Sequence, residues 1–160
     1  MIIESFDGQR EDENIVAIWR QHPWVLSKTT IIAILIVAIG SIPMALSFSW
    51  GWKALALFAI AAIFYALGGY FLWLNTLYIL TNQRIFAILQ KGMFFRSNTE
   101  VPLINIQNVS HTQKGLFQMT LKYGDVEVET SGAKTAMILK NVEKPYLVQQ
   151  KILKKEETTS

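Results

Sequence analysis

Two uninterrupted apolar runs divide the chain. The first covers residues 29–48 and the second residues 54–74, and neither holds a charged side chain. At about 1.5 Å of rise per residue, a helical run of about 20 residues spans roughly 30 Å, the hydrocarbon thickness of a bilayer. Helices on the surface of a soluble domain keep a polar stripe, and these runs are apolar all round. The pattern predicts a two-helix transmembrane hairpin over 29–74, with its turn at Ser49-Trp50-Gly51-Trp52-Lys53. Pro43 is expected to bend the first span near its outer end, and Ser41, Ala45, Ala62, Ala66 and Gly69 offer small side chains for close helix packing.

Before the hairpin, Ile15, Ile18, Trp19 and His22 recur at spacings of three and four. That period predicts a short amphipathic helix within residues 1–28, capped by Asp12 and limited by Pro23. His22 reads as a packing residue. After Leu74 the period changes to that of strands. Thr76–Thr81, Arg84–Leu89 and Met93–Val101 read as three strands, with turns at Asn82-Gln83 and Lys91-Gly92. Ile104, Ile106 and Val109 mark a fourth strand, and Gly115–Met119 a short helical turn. Asp125-Val126-Glu127-Val128-Glu129 alternates cleanly, Thr135–Leu139 forms a last strand, and Pro145–Lys155 forms a helix. Residues 75–160 are thus expected to form a small antiparallel β domain of six or seven strands closed by a C-terminal helix.

Charge adds orientation. The net charge is +3. Residues 1–28 carry three bases and five acids, whereas residues 75–160 carry eleven bases and seven acids. Lys53 alone marks the turn, and the basic flanks lie outside the hairpin, so both termini are expected in the cytoplasm of a two-span protein of the cell membrane. All five tryptophans, Trp19, Trp24, Trp50, Trp52 and Trp73, lie beside or just outside the ends of the two runs and are expected to anchor at the membrane interface. The first run is longer than the core of a cleaved signal and a second span follows it, so cleavage is not expected.

Candidate chemistry is sparse. The chain has no cysteine, which excludes disulfides, thiolate nucleophiles and Cys-based metal sites. No metal-spaced histidines, phosphate-binding glycine loop or Ser-His-Asp set is present, so neither an enzyme nor a bound cofactor or metal is expected. The carboxylates of Asp125, Glu127 and Glu129 share one strand face and read as solvated. Neither span holds an ionisable residue, which disfavours a transporter or channel.

Leu80-Thr81-Asn82-Gln83-Arg84-Ile85, Gly92-Met93-Phe94, Val101-Pro102-Leu103-Ile104-Asn105-Ile106-Gln107-Asn108-Val109, Tyr123-Gly124-Asp125-Val126 and Pro145-Tyr146-Leu147-Val148 follow one another along the β region. In that order they resemble the bacterial pleckstrin-homology-like family of membrane-flanked domains, formerly a domain of unknown function. Glu11 to Pro23, with Arg20-Gln21-His22-Pro23, is similar to the segment that precedes the hairpin in that family. The resemblance implies an α+β membrane protein with a PH-like split β-barrel capped by its C-terminal helix. It carries over no catalytic set.

These readings predict a membrane-anchored, non-catalytic binding or scaffolding module. Its expected partners are the lipid bilayer and a protein partner or a second copy of itself, and not nucleic acid. The alternatives are an anionic-lipid headgroup-binding module, with Arg84, Lys91 and Arg96 facing the leaflet, or a small membrane enzyme or transporter subunit.

Overall fold

The computed structural model describes residues 9–10, 12–90, 92, 94–131 and 136–159, with side chains through Glu156. By contacts the chain divides into two units, a β domain and a helical hairpin.

Among the described residues the β domain contains seven strands. Four form one antiparallel sheet in the order β1 (Ile15–Arg20), β2 (Leu77–Thr81), β3 (Arg84–Gln90), β4 (Arg96–Pro102). Three form a second sheet in the order β5 (Ile106–Thr112), β6 (Tyr123–Thr130), β7 (Met137–Glu143). A bridge between Gln21 and Val142 joins the first sheet to the second along β1 and β7. Tyr78, Leu80, Ile85 and Ala87 from one sheet meet Val109, Val126, Val128, Leu139 and Val142 from the other in a single apolar core. The terminal helix, which runs Pro145–Thr159, adds Val148 and Ile152 to that core and packs on β5 and β6. This is the split barrel with a helical cap expected from the sequence. Its strands alternate as half-buried strands must: in β6 the buried Val126 and Val128 lie between the less buried Asp125, Glu127 and Glu129.

Two boundaries moved from expectation. The third strand starts at Arg96 and the last at Met137, and a short 3-10 turn, Leu103–Asn105, precedes β5. Thr135 and Met93, read as strand residues, lie outside the described residues.

The predicted amphipathic helix before the hairpin is corrected: Ile15–Arg20 is β1, an edge strand paired antiparallel with β2. The cause is a bulge. The register shifts between Ile15 and Ala17, so Ile15 and Ile18 pack together on one face while Ala17 and Trp19 pack on the main core. One extra residue converts a spacing of two into a spacing of three and imitates a helical period. Among the described residues, 12–20 therefore hold a strand and no separate amphipathic helix. Arg20 pairs with Leu77, so the entire hairpin sits within the connection between two neighbouring strands.

The hairpin unit consists of two long helices, α1 (Leu26–Ala45) and α2 (Gly51–Leu74), both long and apolar enough to cross a membrane. Hydroxyls inside it bond to their own backbone: Thr30 Oγ1 donates to the Leu26 carbonyl at 3.0 Å and Ser41 Oγ to the Ala38 carbonyl at 2.7 Å. The turn is tight. Ser47 adopts φ 59°, and the Phe48 N–H reaches back to the Pro43 carbonyl at 3.1 Å, which satisfies an orphan acceptor at the helix end. Gly51 follows because a Cβ there would lie 2.6 Å from the Met44 backbone. Trp52 and Lys53 fall in the first turn of α2 rather than in the loop.

Candidate functional site

Arg84, predicted to face lipid, is instead a buried structural cation. Its residue is 6 % exposed, at the start of β3. Nε donates to Glu13 Oε1 at 2.8 Å and Nη2 donates to Glu13 Oε2 at 2.9 Å, a two-point fork, while Nη1 meets Glu100. The Thr81 hydroxyl donates to Glu13 Oε1 at 2.8 Å. The Arg84 guanidinium, aided by the Arg10 N–H and the Thr81 hydroxyl, outweighs desolvation and holds the Glu13 carboxyl well below the carboxylate range, at about 2. The same pairing raises Arg84 above its ordinary value. Beside it, Asn82 Oδ1 accepts the Asn14 N–H and Asn82 Nδ2 donates to the Asp12 carbonyl. Thr81-Asn82-Gln83-Arg84 thus ties residues 12–14 to the β2–β3 turn. The register also puts Arg84 opposite Pro102, at the end of β3 remote from Gln90 and from the strand ends that lead to the hairpin. No cation so enclosed can reach a leaflet.

The other predicted positions divide. Lys91 lies outside the described residues. Arg96 is exposed and opens β4 opposite Gln90. Trp19, expected at the membrane interface, is half-buried and packs against the barrel core. Trp24, Trp50 and Trp52 are exposed, and Trp73 stacks on Tyr70 at 5.9 Å between ring centroids. His22 is a packing residue, as expected. Its ring stacks on Tyr123 at 5.0 Å, and the His22 backbone N–H donates to the Asn141 carbonyl at 2.7 Å.

The structure assembles one surface that the sequence reading missed. The six-residue helix α3 (Gly115–Thr120) connects β5 to β6 and exposes Leu116, Phe117 and Met119 at 82 %, 68 % and 63 %. Lys114 and Lys122 flank it, both exposed. The loop is clamped at both ends. Gln113 Nε2 donates to the carbonyls of Gln118 and Tyr123 at 3.2 and 3.1 Å, and the Lys144 N–H donates to the Lys122 carbonyl at 2.8 Å. Gly124 lets the strands close beneath the loop, because a Cβ there would sit 2.5 Å from the Thr112 carbonyl oxygen. The signal was present in the sequence as an apolar triplet between two lysines, but nothing local reveals that it points away from the core.

Comparison with known proteins then places the chain. Residues 24–156 match the profile of the bacterial PH domain family. The chain belongs to the bacterial PH domain family. The matched region of this bacterial PH domain begins after β1, so the strand that supplies Ile15–Arg20 and the Glu13 clasp lies before it. Solved structures similar to the chain include two from Shewanella. A DUF1696 family protein with a pleckstrin-homology domain from Shewanella loihica PV-4 is 10 % identical, with 92 % of this chain and 85 % of that one covered at a TM-score of 0.47. A pleckstrin homology domain from Shewanella amazonensis SB2B is 17 % identical, with 51 % of this chain and 67 % of that one covered at a TM-score of 0.43. No curated protein matches the chain. Domains of this PH-like kind act in general as binding or scaffolding modules. Among the described residues of this bacterial PH domain, no three His, Cys, Asp or Glu side chains group as metal ligands.

Proposed function

We propose that this chain is a membrane-anchored, non-catalytic binding module that holds its barrel at the cytoplasmic face of the cell membrane and docks a protein partner or a second copy there. The observation that carries this reading is the position of the hairpin between two hydrogen-bonded strands. Because Arg20 and Leu77 are partners in one sheet, both ends of the hairpin return to the same place. A pair of apolar helices tethered in that way enters and leaves a bilayer on one side, which agrees with the basic flanks. The helices carry exposed Ile34, Leu35, Leu57, Ile63 and Phe64, which suits lipid and not water. For docking, β4 is the last strand of its sheet, and its Ser97-Asn98-Thr99 stretch presents a polar edge to which an extended segment can add.

The absence of cysteine makes the test direct. Single cysteines at Ser49 and at Lys151 are labelled with an impermeant maleimide in whole cells and in inverted vesicles, after membranes are washed with carbonate. The expected result is retention in the pellet, with Ser49→Cys labelled from outside and Lys151→Cys only from inside. Release by carbonate, or labelling of both positions from one side, overturns the anchor. Crosslinking in native membranes tests docking, and a strictly monomeric species with no crosslinked partner overturns that part.

A further inference from the structure

We propose that α3 and its lysine rim form a second, peripheral membrane contact, in which Leu116, Phe117 and Met119 enter the headgroup layer and the lysines lie over anionic lipid phosphates. The inference rests on the anchor reading. Three observations support it. First, the three apolar side chains protrude from a connection that is clamped from both ends, so little backbone ordering accompanies contact. Second, the surrounding charge is cationic. Lys114, Lys122, Lys140 and Lys144 are exposed around the β5–β6 and β7–α4 connections, and Arg20 ends β1 at the same end of the barrel. The acids there are Asp125, whose Oδ1 accepts the Asn141 N–H at 2.8 Å, and Glu143, which pairs with Lys144 at 3.5 Å. Third, the surface lies where the chain departs for the span. His22 immediately precedes the hairpin unit, and it stacks on Tyr123, the first residue of β6 after α3.

A lipid surface fits better than a protein. Lysine is depleted from the cores of protein interfaces, whereas basic residues around protruding apolar side chains are the composition of segments that lie in an anionic bilayer surface. Tethering adds to this. An anchored barrel meets the leaflet at high effective concentration, so a contact too weak to recruit a free domain suffices to fix its tilt.

The test uses the full chain reconstituted in phosphatidylcholine vesicles with or without phosphatidylglycerol. NBD is attached at single cysteines replacing Leu116, Ile138 on β7, or Leu57 on α2. Expected for Leu116→Cys is a blue shift and a loss of intensity with headgroup-proximal doxyl lipid, larger with phosphatidylglycerol, while Ile138→Cys reads as water. Neutralising the rim with K114Q/K122Q/K144Q should remove the phosphatidylglycerol-dependent part. An aqueous signal at Leu116→Cys beside a lipid signal at Leu57→Cys overturns this inference and leaves the anchor standing. An aqueous signal at both positions overturns the anchor itself. A Leu116→Cys label shielded from iodide but not quenched by doxyl lipid identifies a protein contact and also overturns the inference.

Discussion

Glu13 and Arg84 are 71 positions apart in the chain and form a two-point ion pair, with Glu13 only 2 % exposed. The whole hairpin is threaded between them. Removing one partner of such a pair leaves the other charge buried and uncompensated, at a cost of about 3–5 kcal/mol. Glu13→Gln and Arg84→Met should therefore each lower the denaturation midpoint of the barrel. The double change, Glu13→Gln with Arg84→Met, should cost less than the sum of the two. Equal additivity in the double-mutant cycle would contradict a direct pairing.

The same pair sets an acid limit. The native Glu13 carboxyl titrates at about 2 against an ordinary value of 4.5. A depressed carboxylate contributes stability in full above its unfolded value and loses it as pH falls toward the folded one. Stability should be flat in this respect above about pH 5 and should decline below pH 4.5 toward pH 2. Unfolding midpoints followed across that window should show a weaker slope in Glu13→Gln than in the parent chain.

Because β1 precedes the hairpin, residues 75–160 alone lack an edge strand and the carboxylate that neutralises Arg84. That fragment should aggregate or remain unfolded. Replacing residues 23–75 by Asn-Gly, in contrast, leaves a short loop, Gln21-His22-Asn-Gly-Thr76, between strand ends already paired at Arg20 and Leu77 and should give a soluble, cooperatively folding barrel. Dispersed amide resonances from the fragment, or collapsed ones from the turn variant, would refute this.

Gly124 gives a local test of the β5–β6 junction. An added Cβ meets the Thr112 carbonyl oxygen at 2.5 Å, and backbone on both strands must shift to relieve it. Gly124→Ala should destabilise the barrel by about 1–3 kcal/mol, the usual cost of overpacking. An unchanged melting temperature would show that the strands are not held that closely.

The hairpin, the later strands and the capping helix were legible because each writes its period locally. Runs of apolar residues, alternation such as Val126 and Val128, and Pro145 at a helix start need no distant information. Trp19 and Arg84 were not legible. The bulge at Ile15–Ala17 gave β1 a helical spacing, and with β1 hidden, Trp19 looked like an interfacial ring rather than a core residue. Arg84 read as a leaflet-facing base because its counterion stands before two membrane-length helices. The α3 surface was overlooked for the opposite reason. Its residues read only as a short helical turn, and the folded arrangement of Gln113, Lys122 and Lys144 is what turns the apolar ones outward.

The split of β1 from β2 also fixes an order of events during biosynthesis. The first strand leaves the ribosome with no neighbour, and at about 5–20 residues per second its mate follows only several seconds later. Until then Ile15–Arg20 has no β2 to pair with and Glu13 has no Arg84, and under the proposed anchoring the helices reach the membrane before the sheet can close. In the anchored protein proposed above, insertion and closure of the first sheet are thereby placed in series.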